Sequence, residues 1–181
     1  MKISVDLSQK GIADLKKQLL SYKNGLQNKV QNYVEMLSKI GLQVISSNLQ
    51  QHPLGNYVTV NVDIDPSSVG CKSIITAIGE TKQGFRPDGT PYEPFNILLA
   101  IEFGSGIYYN PIAHPDAEDL GFGVGSFPGQ IHAFEDGWYY WDEAEEVWKY
   151  TQGVKATMPM YNAYIEMQPK IKAIANEVFG R

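Results

Sequence analysis

The sequence predicts an α+β fold in a single domain spanning residues 1–181. This fold has a long N-terminal helix, a small mostly antiparallel sheet with a C-terminal hairpin, and a C-terminal helix packed on the sheet. Three observations lead to it. Apolar residues recur every three or four positions along residues 9–50, apolar and polar residues alternate along 57–64, and an aromatic hairpin pattern at 138–151 precedes a proline-led helix start. The first pattern has the period of a helix, and the second has that of a strand.

The long helix is predicted by one continuous apolar stripe. The pattern ends before His52 and Pro53, because proline restricts the residue that precedes it. A helix of this length exceeds the width of a small domain, so part of it needs a partner. Packing on its own subunit and packing on a neighbour remain open. The stripe comprises Ile12, Leu15, Leu19, Tyr22, Leu26, Val30, Tyr33, Leu37, Ile40 and Val44.

Two strands are predicted after this helix. Residues 57–64 place Val58, Val60, Val62 and Ile64 on one side, which is typical of a half-buried strand. Turn-forming residues follow at 65–68, and residues 73–79 read as a second strand that pairs with the first. Residues 84–94 are predicted as a loop. The apolar segment 95–103 suits either a short helix or a strand.

The C-terminal part predicts a hairpin and then a helix. Residues 138–141 form an aromatic strand, 142–146 a charged reversal and 147–151 a return strand. Alternation places Trp138 and Tyr140 toward the core and Tyr139 and Trp141 outward. Gly153 ends the strand, and Thr157 is predicted to cap a helix over 159–179 that starts near Pro159. Pro169 is a candidate kink in that helix, whose apolar face is Tyr164, Met167, Ile171, Ile174, Ala175 and Val178.

Composition is that of a globular protein, with 43% hydrophobic and 19% charged residues among 181. The single cysteine, Cys71, cannot form an internal disulfide. Charged residues interrupt the first 20 positions, so we expect no signal peptide, and no apolar run approaches the ~20 residues that cross a bilayer. A membrane partner is therefore not expected. The net charge of −5, with only Arg86 and Arg181 as arginines, argues against a surface built to bind DNA.

Several short segments resemble catalytic or ligand-binding motifs, but none has the neighbouring elements that such a motif requires. The glycine-rich residues 121–125 follow no strand and open no helix, so they do not form a dinucleotide site. Ser105 and Ser126 do not complete a nucleophile elbow. A metal site is not expected from carboxylates in a solvated loop, where the candidate ligands are His114, Asp116, Glu118 and Asp119. We therefore expect no catalytic residue, no cofactor and no metal.

The aromatic hairpin offers one alternative function. Aromatic faces stack on sugar rings, and paired carboxylates ~5 to 9.5 Å apart hydrolyse glycosidic bonds. The alternative is thus a glycan-binding module or hydrolase that acts on bacterial cell wall. The preferred interpretation is core packing for half of the aromatic side chains and a contact between subunits for the rest. The residues concerned are Trp138, Tyr139, Tyr140, Trp141, Trp148 and Tyr150, beside Glu135, Asp136, Asp142 and Glu143.

Four motifs in the C-terminal half carry a resemblance to a known family. They are EFGSG at 102–106, SFPGQ at 126–130, GWYY at 137–140, and T-x-G-x-x-A-x-x-P-M-Y-x-A at 151–163. In this order they resemble the tail-component family of long-tailed bacteriophages, also called the head-tail joining or tail completion family. By this resemblance, residues 95–103 form a helix that Gly104 closes as a left-handed cap.

The resemblance implies a structural virion protein that forms a ring at the head-tail junction or the tail end and performs no chemistry. Its partners would be further copies of itself, with six implied, and other neck or tail proteins of the phage. Phage DNA would pass through the ring without specific binding. The protein would reside in the virion, and in the host cytoplasm during assembly.

Residues 104–136 show neither helix nor strand period, yet they contain many apolar side chains. We expect this segment to be mobile in an isolated subunit and to become ordered on assembly. Whether it faces the DNA channel or a neighbouring subunit is open. The predicted interface residues are Ile107, Tyr108, Tyr109, Phe122 and Phe127, together with Tyr139 and Trp141 of the hairpin.

Overall fold

The computed structural model describes residues 8–85, 88–91, 94–106, 114–116, 119, 138–142 and 145–180. The side chains of Trp138, Tyr140 and Trp141 are not among the described parts. The fold is α+β, as predicted. Its elements are α1 (Gln9–Gln51), β1 (Val58–Ser67), β2 (Gly70–Gly79), β3 (Thr81–Lys82), β4 (Gly84–Phe85), β5 (Phe95–Asn96), α2 (Ile97–Phe103), β6 (Trp138–Asp142), β7 (Val147–Thr151), α3 (Pro159–Met167) and α4 (Lys170–Phe179).

Helix α1 has the length that its apolar stripe predicts. Ser8 caps its start, because the Ser8 hydroxyl oxygen accepts a hydrogen bond from Gly11 N at 3.1 Å. The helix ends at Gln51, where His52 turns to an extended conformation ahead of Pro53. Its 43 residues span about 65 Å at ~1.5 Å per residue. This exceeds the body of a domain of this size, so α1 reaches beyond the rest of the fold.

Strands β1 and β2 form an antiparallel hairpin, in which Val62 lies opposite Ile75. Half-buried and exposed residues alternate from Val58 to Val62, as the sequence predicts. Ile64 departs from the pattern and is 37% exposed. The tip of the hairpin runs out along α1, where Ser67 O accepts a hydrogen bond from Gln27 Nε2 at 3.2 Å. The alternation therefore stops where the hairpin leaves the core.

The remaining strands form two small sheets. β3 pairs with β5, and β6 lies between β4 and β7, with antiparallel pairing throughout. The predicted hairpin is confirmed as β6 and β7. The predicted loop at 84–94 is wrong at its start, because Gly84 and Phe85 pair with Tyr140 and Tyr139. That pairing joins residues far apart in the chain, so no local pattern reveals it.

Helix α2 begins later than the family resemblance implies. Phe95 and Asn96 form β5, and the Asn96 side chain caps the helix by accepting from Leu98 N at 2.9 Å. Gly104 has φ 78° and ψ 172°, a conformation outside the left-handed helical region. The expected left-handed cap is wrong, because a left-handed cap requires ψ near ~47°.

The C-terminal helix predicted over 159–179 is confirmed, and it is interrupted at Pro169, the candidate kink, to give α3 and α4. Pro169 lacks the backbone N–H and its ring clashes with the carbonyl four residues earlier, so the chain breaks between α3 and α4. The predicted apolar face is confirmed at Ile174 and Val178, which are buried, and it is wrong at two positions. Tyr164 is 52% exposed and Ile171 46% exposed. The buried positions are Pro159, Ala163, Ile174 and Val178.

The core lies where the C-terminal third of α1 crosses α2 and α3. Ile45 and Leu49 of α1 pack with Ile97 and Ile101 of α2 and with Ala163 of α3. Ile45 and Ile101 are at most 1% exposed, so these residues hold the three helices together. Within the described ranges, no helix combines the length and the apolar character that crossing a membrane requires.

Candidate functional site

Two of the segments that carry the family resemblance meet in the fold, and we call their contact the motif junction (residues 101–106 and 151–161). Ser105 N donates to Val154 O at 2.9 Å, and Ser105 Oγ accepts from Val154 N at 3.1 Å. Thr157 N donates to Ile101 O at 2.9 Å. Ser105 is 3% exposed. The hydroxyl of Ser105 is thus engaged in holding the two segments together.

Glycine is required on both sides of the motif junction. Gly106 has φ 61° and Gly153 has φ 115°, conformations that other residues rarely adopt. A Cβ on Gly106 would lie 2.0 Å from Gln152 O, and one on Gly153 would lie 1.9 Å from Ser105 O. The two backbones therefore approach too closely for any side chain, which explains the spacing of glycines in both motifs.

Glu102 caps helix α3 from a distant part of the chain. Its carboxylate accepts from Met160 N and Tyr161 N, each at 3.0 Å, with one oxygen for each donor. The residue is 6% exposed. A negative charge at a helix start satisfies free backbone donors and complements the helix dipole. The expectation that Thr157 caps α3 is therefore wrong.

Thr157 itself precedes the helix without capping it. The N-cap position belongs to Met158, whose φ of 49° and ψ of 52° are left-handed and whose side chain makes no capping hydrogen bond. Thr157 Oγ1 is buried and has no hydrogen-bond partner among the described residues. Sequence reasoning missed Glu102, although an acidic residue within the apolar segment ILLAIEF was the available signal.

His114 completes a buried pair with Glu102. His114 Nε2 lies 3.4 Å from Glu102 Oε1, and both side chains are less than a tenth exposed. The imidazole packs between the rings of Phe103 and Tyr161, each with a centroid distance of 4.8 Å. Asp116 N donates to His114 Nδ1 at 3.3 Å, so the neutral ring carries its proton on Nε2, toward Glu102.

This geometry does not suit a metal site or a nucleophile. Both nitrogens of His114 face protein partners, and both oxygens of Glu102 accept backbone hydrogen bonds. Glu118, a candidate ligand in the sequence, lies outside the described residues. Across the described ranges, no three His, Cys, Asp or Glu side chains come together as a metal would require. The pair acts as a structural clamp that orders the start of α3.

His52 ties the end of α1 to the segment that follows β7. The His52 side chain is buried, with Nε2 3.3 Å from Lys155 O and Nδ1 accepting from Leu54 N at 3.1 Å. These contacts suit the neutral ring with its proton on Nε2. Burial lowers the pKa of His52, and the hydrogen bond to Lys155 O opposes this in part.

The second feature of the site is an exposed aromatic face on the β6–β7 hairpin, formed by Tyr139, Trp148 and Tyr150. Their exposed fractions are 37%, 52% and 48%. The Tyr139 and Tyr150 rings lie 5.1 Å apart, and Phe85 meets Trp148 edge-on at 5.2 Å. The outward orientation predicted for Tyr139 agrees with this exposure. Single exposed aromatic residues are ordinary, whereas these three form one exposed aromatic patch.

The turn beside the aromatic face is acidic. Lys149 Nζ lies 2.7 Å from Asp142 Oδ2 and 2.8 Å from Glu145 Oε1. These two hydrogen bonds raise the pKa of Lys149. Glu146 adds a further exposed carboxylate with φ 52°. Lys149 thus pairs with two carboxylates while Glu146 adds a third, so the turn keeps a net negative charge.

The predicted interface residues are only partly covered by the structure. Tyr139 lies on the aromatic face, and Trp141 sits in β6 opposite Trp148 with its side chain outside the description. The other five, Ile107, Tyr108, Tyr109, Phe122 and Phe127, fall outside the described residues, as does most of the segment 104–136. Their role at an interface stays a prediction.

Comparison with known proteins finds no matching family model, no matching curated protein and no matching solved structure.

Proposed function

We propose that this chain is a structural virion protein of a phage or prophage. It forms a ring at the head-tail junction or the tail end and acts by assembly, without catalysis. The observation that supports this most is the motif junction. The segments EFGSG and T-x-G-x-x-A-x-x-P-M, which carry the resemblance to the tail-component family, interlock through buried hydrogen bonds although some 45 residues separate them. An ordered set of motifs that also forms one structural unit is stronger support than the motifs alone.

The chemistry of the junction favours assembly over catalysis. Its ionisable pair, Glu102 and His114, is buried and directed at backbone groups and at each other. Its hydroxyl, on Ser105, is engaged by Val154 N. A general base or nucleophile needs a free position facing a substrate. These groups instead fix α3 and the segment after β7 to the end of α2, and a fixed shape suits a subunit of a ring.

The surface supports the same proposal. Large apolar side chains are exposed along the first half of α1 and on the aromatic face, and surfaces of this kind are typical of protein contacts. The net charge of −5 suits a ring through which DNA passes without being held. Six copies, neighbouring neck or tail proteins and a location in the virion are parts of the proposal that come from the family resemblance.

Inactivation of the reading frame in its resident phage tests the proposal. We expect full heads and separate tails in electron micrographs, with few infectious particles, and restoration by the wild-type chain supplied in trans. Complementation with Glu80→Gln, an exposed substitution, is the matched control for expression. Normal numbers of infectious particles, or absence of the protein from purified virions by mass spectrometry, would contradict the proposal.

The exposed aromatic face also favours the alternative of glycan binding, since Trp148 and Tyr150 are accessible for stacking on sugar rings. Retention of the protein on a column of bacterial cell-wall polysaccharide tests it. Trp148→Ala should abolish retention under this alternative, whereas Lys172→Ala, on exposed α4, should not. Passage of the wild-type protein through the column without delay rules the alternative out.

A further inference from the structure

The first part of α1 leaves the body of the subunit, and we call residues 9–26 the arm. No residue of α1 before Ser38 is buried. The described contacts with the body begin at Gln27, which bonds to Ser67 O, and continue at Tyr33, whose ring lies 5.7 Å from that of Phe179. The arm therefore extends about 27 Å at ~1.5 Å per residue without described support from its own chain. Its apolar side chains are therefore left in water, and a partner that covered them would stabilise the arm.

The arm carries an apolar stripe with a regular spacing. Ile12, Leu15, Leu19, Tyr22 and Leu26 follow steps of three and four, so they lie on one face. Ile12 is 53% exposed, Leu19 50% and Tyr22 57%. The apolar stripe of α1 is thus exposed over its first half. Burial of these side chains against a second protein surface would favour association.

Charge on the arm selects the kind of partner. The arm contains four lysines and one aspartate, and Lys16 and Lys23 flank the stripe one position after Leu15 and Tyr22. In a coiled coil of two arms these flanking positions normally hold complementary charges. In the arm, Lys16 and Lys23 occupy flanking positions, and no acidic residue occupies a facing one. Pairing of two arms is therefore disfavoured. The arm suits a surface that is apolar at its centre and acidic at its rim.

The same chain presents such a surface. Residues 88–148 contain twelve of its twenty acidic residues and no lysine or arginine. The exposed aromatic face belongs to this part of the chain, with Tyr139 and Trp148 inside the stretch and Tyr150 just after it. Glu145 and Glu146 lie beside this face at the turn. Glu145 is 65% exposed, although it also contacts Lys149. An apolar centre with an acidic rim complements the arm in both respects.

We propose that the arm of one copy packs on the aromatic face of the next copy, with Lys16 and Lys23 beside Glu145 and Glu146. The contact joins two different surfaces of one chain, so repetition builds a ring wherever the rotation closes. This deepens the proposed function by naming the surfaces that join ring subunits, and it rests on that function for closure of the ring. The arm covers roughly 300 Å² of a partner by its length and ~10 Å width, below the ~800 Å² of a standard interface. Assembly should therefore depend strongly on concentration.

A charge-swap experiment on the full chain tests the contact. Sedimentation velocity over a range of concentrations measures the concentration at which half of the protein is assembled. K16E/K23E should raise this concentration about tenfold, since each rim ion pair contributes modestly. E145K/E146K should do the same, and the four substitutions together should restore assembly. K170E/K172E is the control, because it changes the net charge by the same amount as K16E/K23E but at exposed positions of α4. It should leave assembly unchanged. Circular dichroism verifies that each variant is folded.

Cross-linking identifies the surfaces directly. In a Cys71→Ser background, Leu20→Cys on the arm and Val147→Cys on the hairpin are introduced into separate copies, which are then mixed. A short bismaleimide should link the Leu20→Cys copy to the Val147→Cys copy. Lys172→Cys, on α4, is the control position, and the Leu20→Cys copy should link to it only weakly. Predominant links between two Leu20→Cys arms would overturn the proposal, as would a wild-type chain that is monomeric at every concentration.

The outcomes separate this inference from the proposed function. Rings that persist unchanged in K16E/K23E overturn the arm contact and leave the virion role standing. If assembly responds to the charge-swap variants as expected but the protein is absent from purified virions, the arm contact is supported and the virion role is overturned.

Discussion

The buried carboxylate of Glu102 gives the sharpest test of how this fold is held together. Glu102→Gln preserves the shape of the side chain but replaces one acceptor oxygen with an NH₂ group. One of the two donors, Met160 N or Tyr161 N, now 3.0 Å from a carboxylate oxygen, then loses its acceptor. A hydrogen bond to a charged group contributes ~1.5 to 3 kcal/mol, and a buried orphan donor costs ~1 to 3 kcal/mol. We expect the free energy of unfolding to fall by about 2 to 4 kcal/mol.

Glu102→Ala removes both acceptors and leaves His114 facing a void, so we expect a loss of about 3 to 5 kcal/mol. Against a total stability of ~5 to 15 kcal/mol, that brings the chain close to unfolding.

Urea unfolding followed by circular dichroism measures these losses. Glu80→Gln is the matched control. The Glu80 side chain is 56% exposed and pairs with Lys82 at 3.0 Å, so its loss should cost less than ~1 kcal/mol. Equal midpoints for Glu102→Gln and Glu80→Gln would refute the reasoning, because they would show that the carboxylate does not cap α3.

Three further predictions concern the junction, pH and metal. Gly153→Ala should cost about 1 to 3 kcal/mol more than Gly89→Ala in urea unfolding, because both positions have positive φ but only Gly153 lacks room for a Cβ. Because the pKa of His52 is lowered on folding, its contribution is complete above the ordinary value of 6.5 and declines as pH falls below it. The melting temperature should thus fall more steeply from pH 7 to about 5 than that of His52→Gln; parallel curves would contradict this. Elemental analysis after gel filtration should find no stoichiometric zinc or calcium; about one metal per chain would overturn the structural assignment of His114.

Local patterns account for the elements that the sequence predicts correctly. The spacing of apolar residues along α1, the alternation in β1 and the aromatic and β-branched residues of β6 and β7 each reflect the period of one element. Such periods are properties of neighbouring residues, so one sequence reveals them. The break at Pro169 has a local cause as well, since proline removes a helical donor, but how far it interrupts the helix depends on what packs around it.

The site was decided by contacts between distant residues, which no local pattern contains. Thr157 is a good cap by residue type, yet the buried carboxylate of Glu102, 58 residues before Met160, accepts the hydrogen bonds of the donors in its place. The stripe along α1 leaves open whether it packs on its own subunit or on a neighbour, and in the structure the body of the subunit buries residues only in the second half of the helix. The sequence by itself therefore determined which faces are apolar and where the longer elements lie, namely α1, the β1–β2 pair, the β6–β7 hairpin and the C-terminal helix. Only the tertiary structure decided which of those faces are buried within the subunit and which stay exposed for a partner. That outcome depends on the size and position of the core.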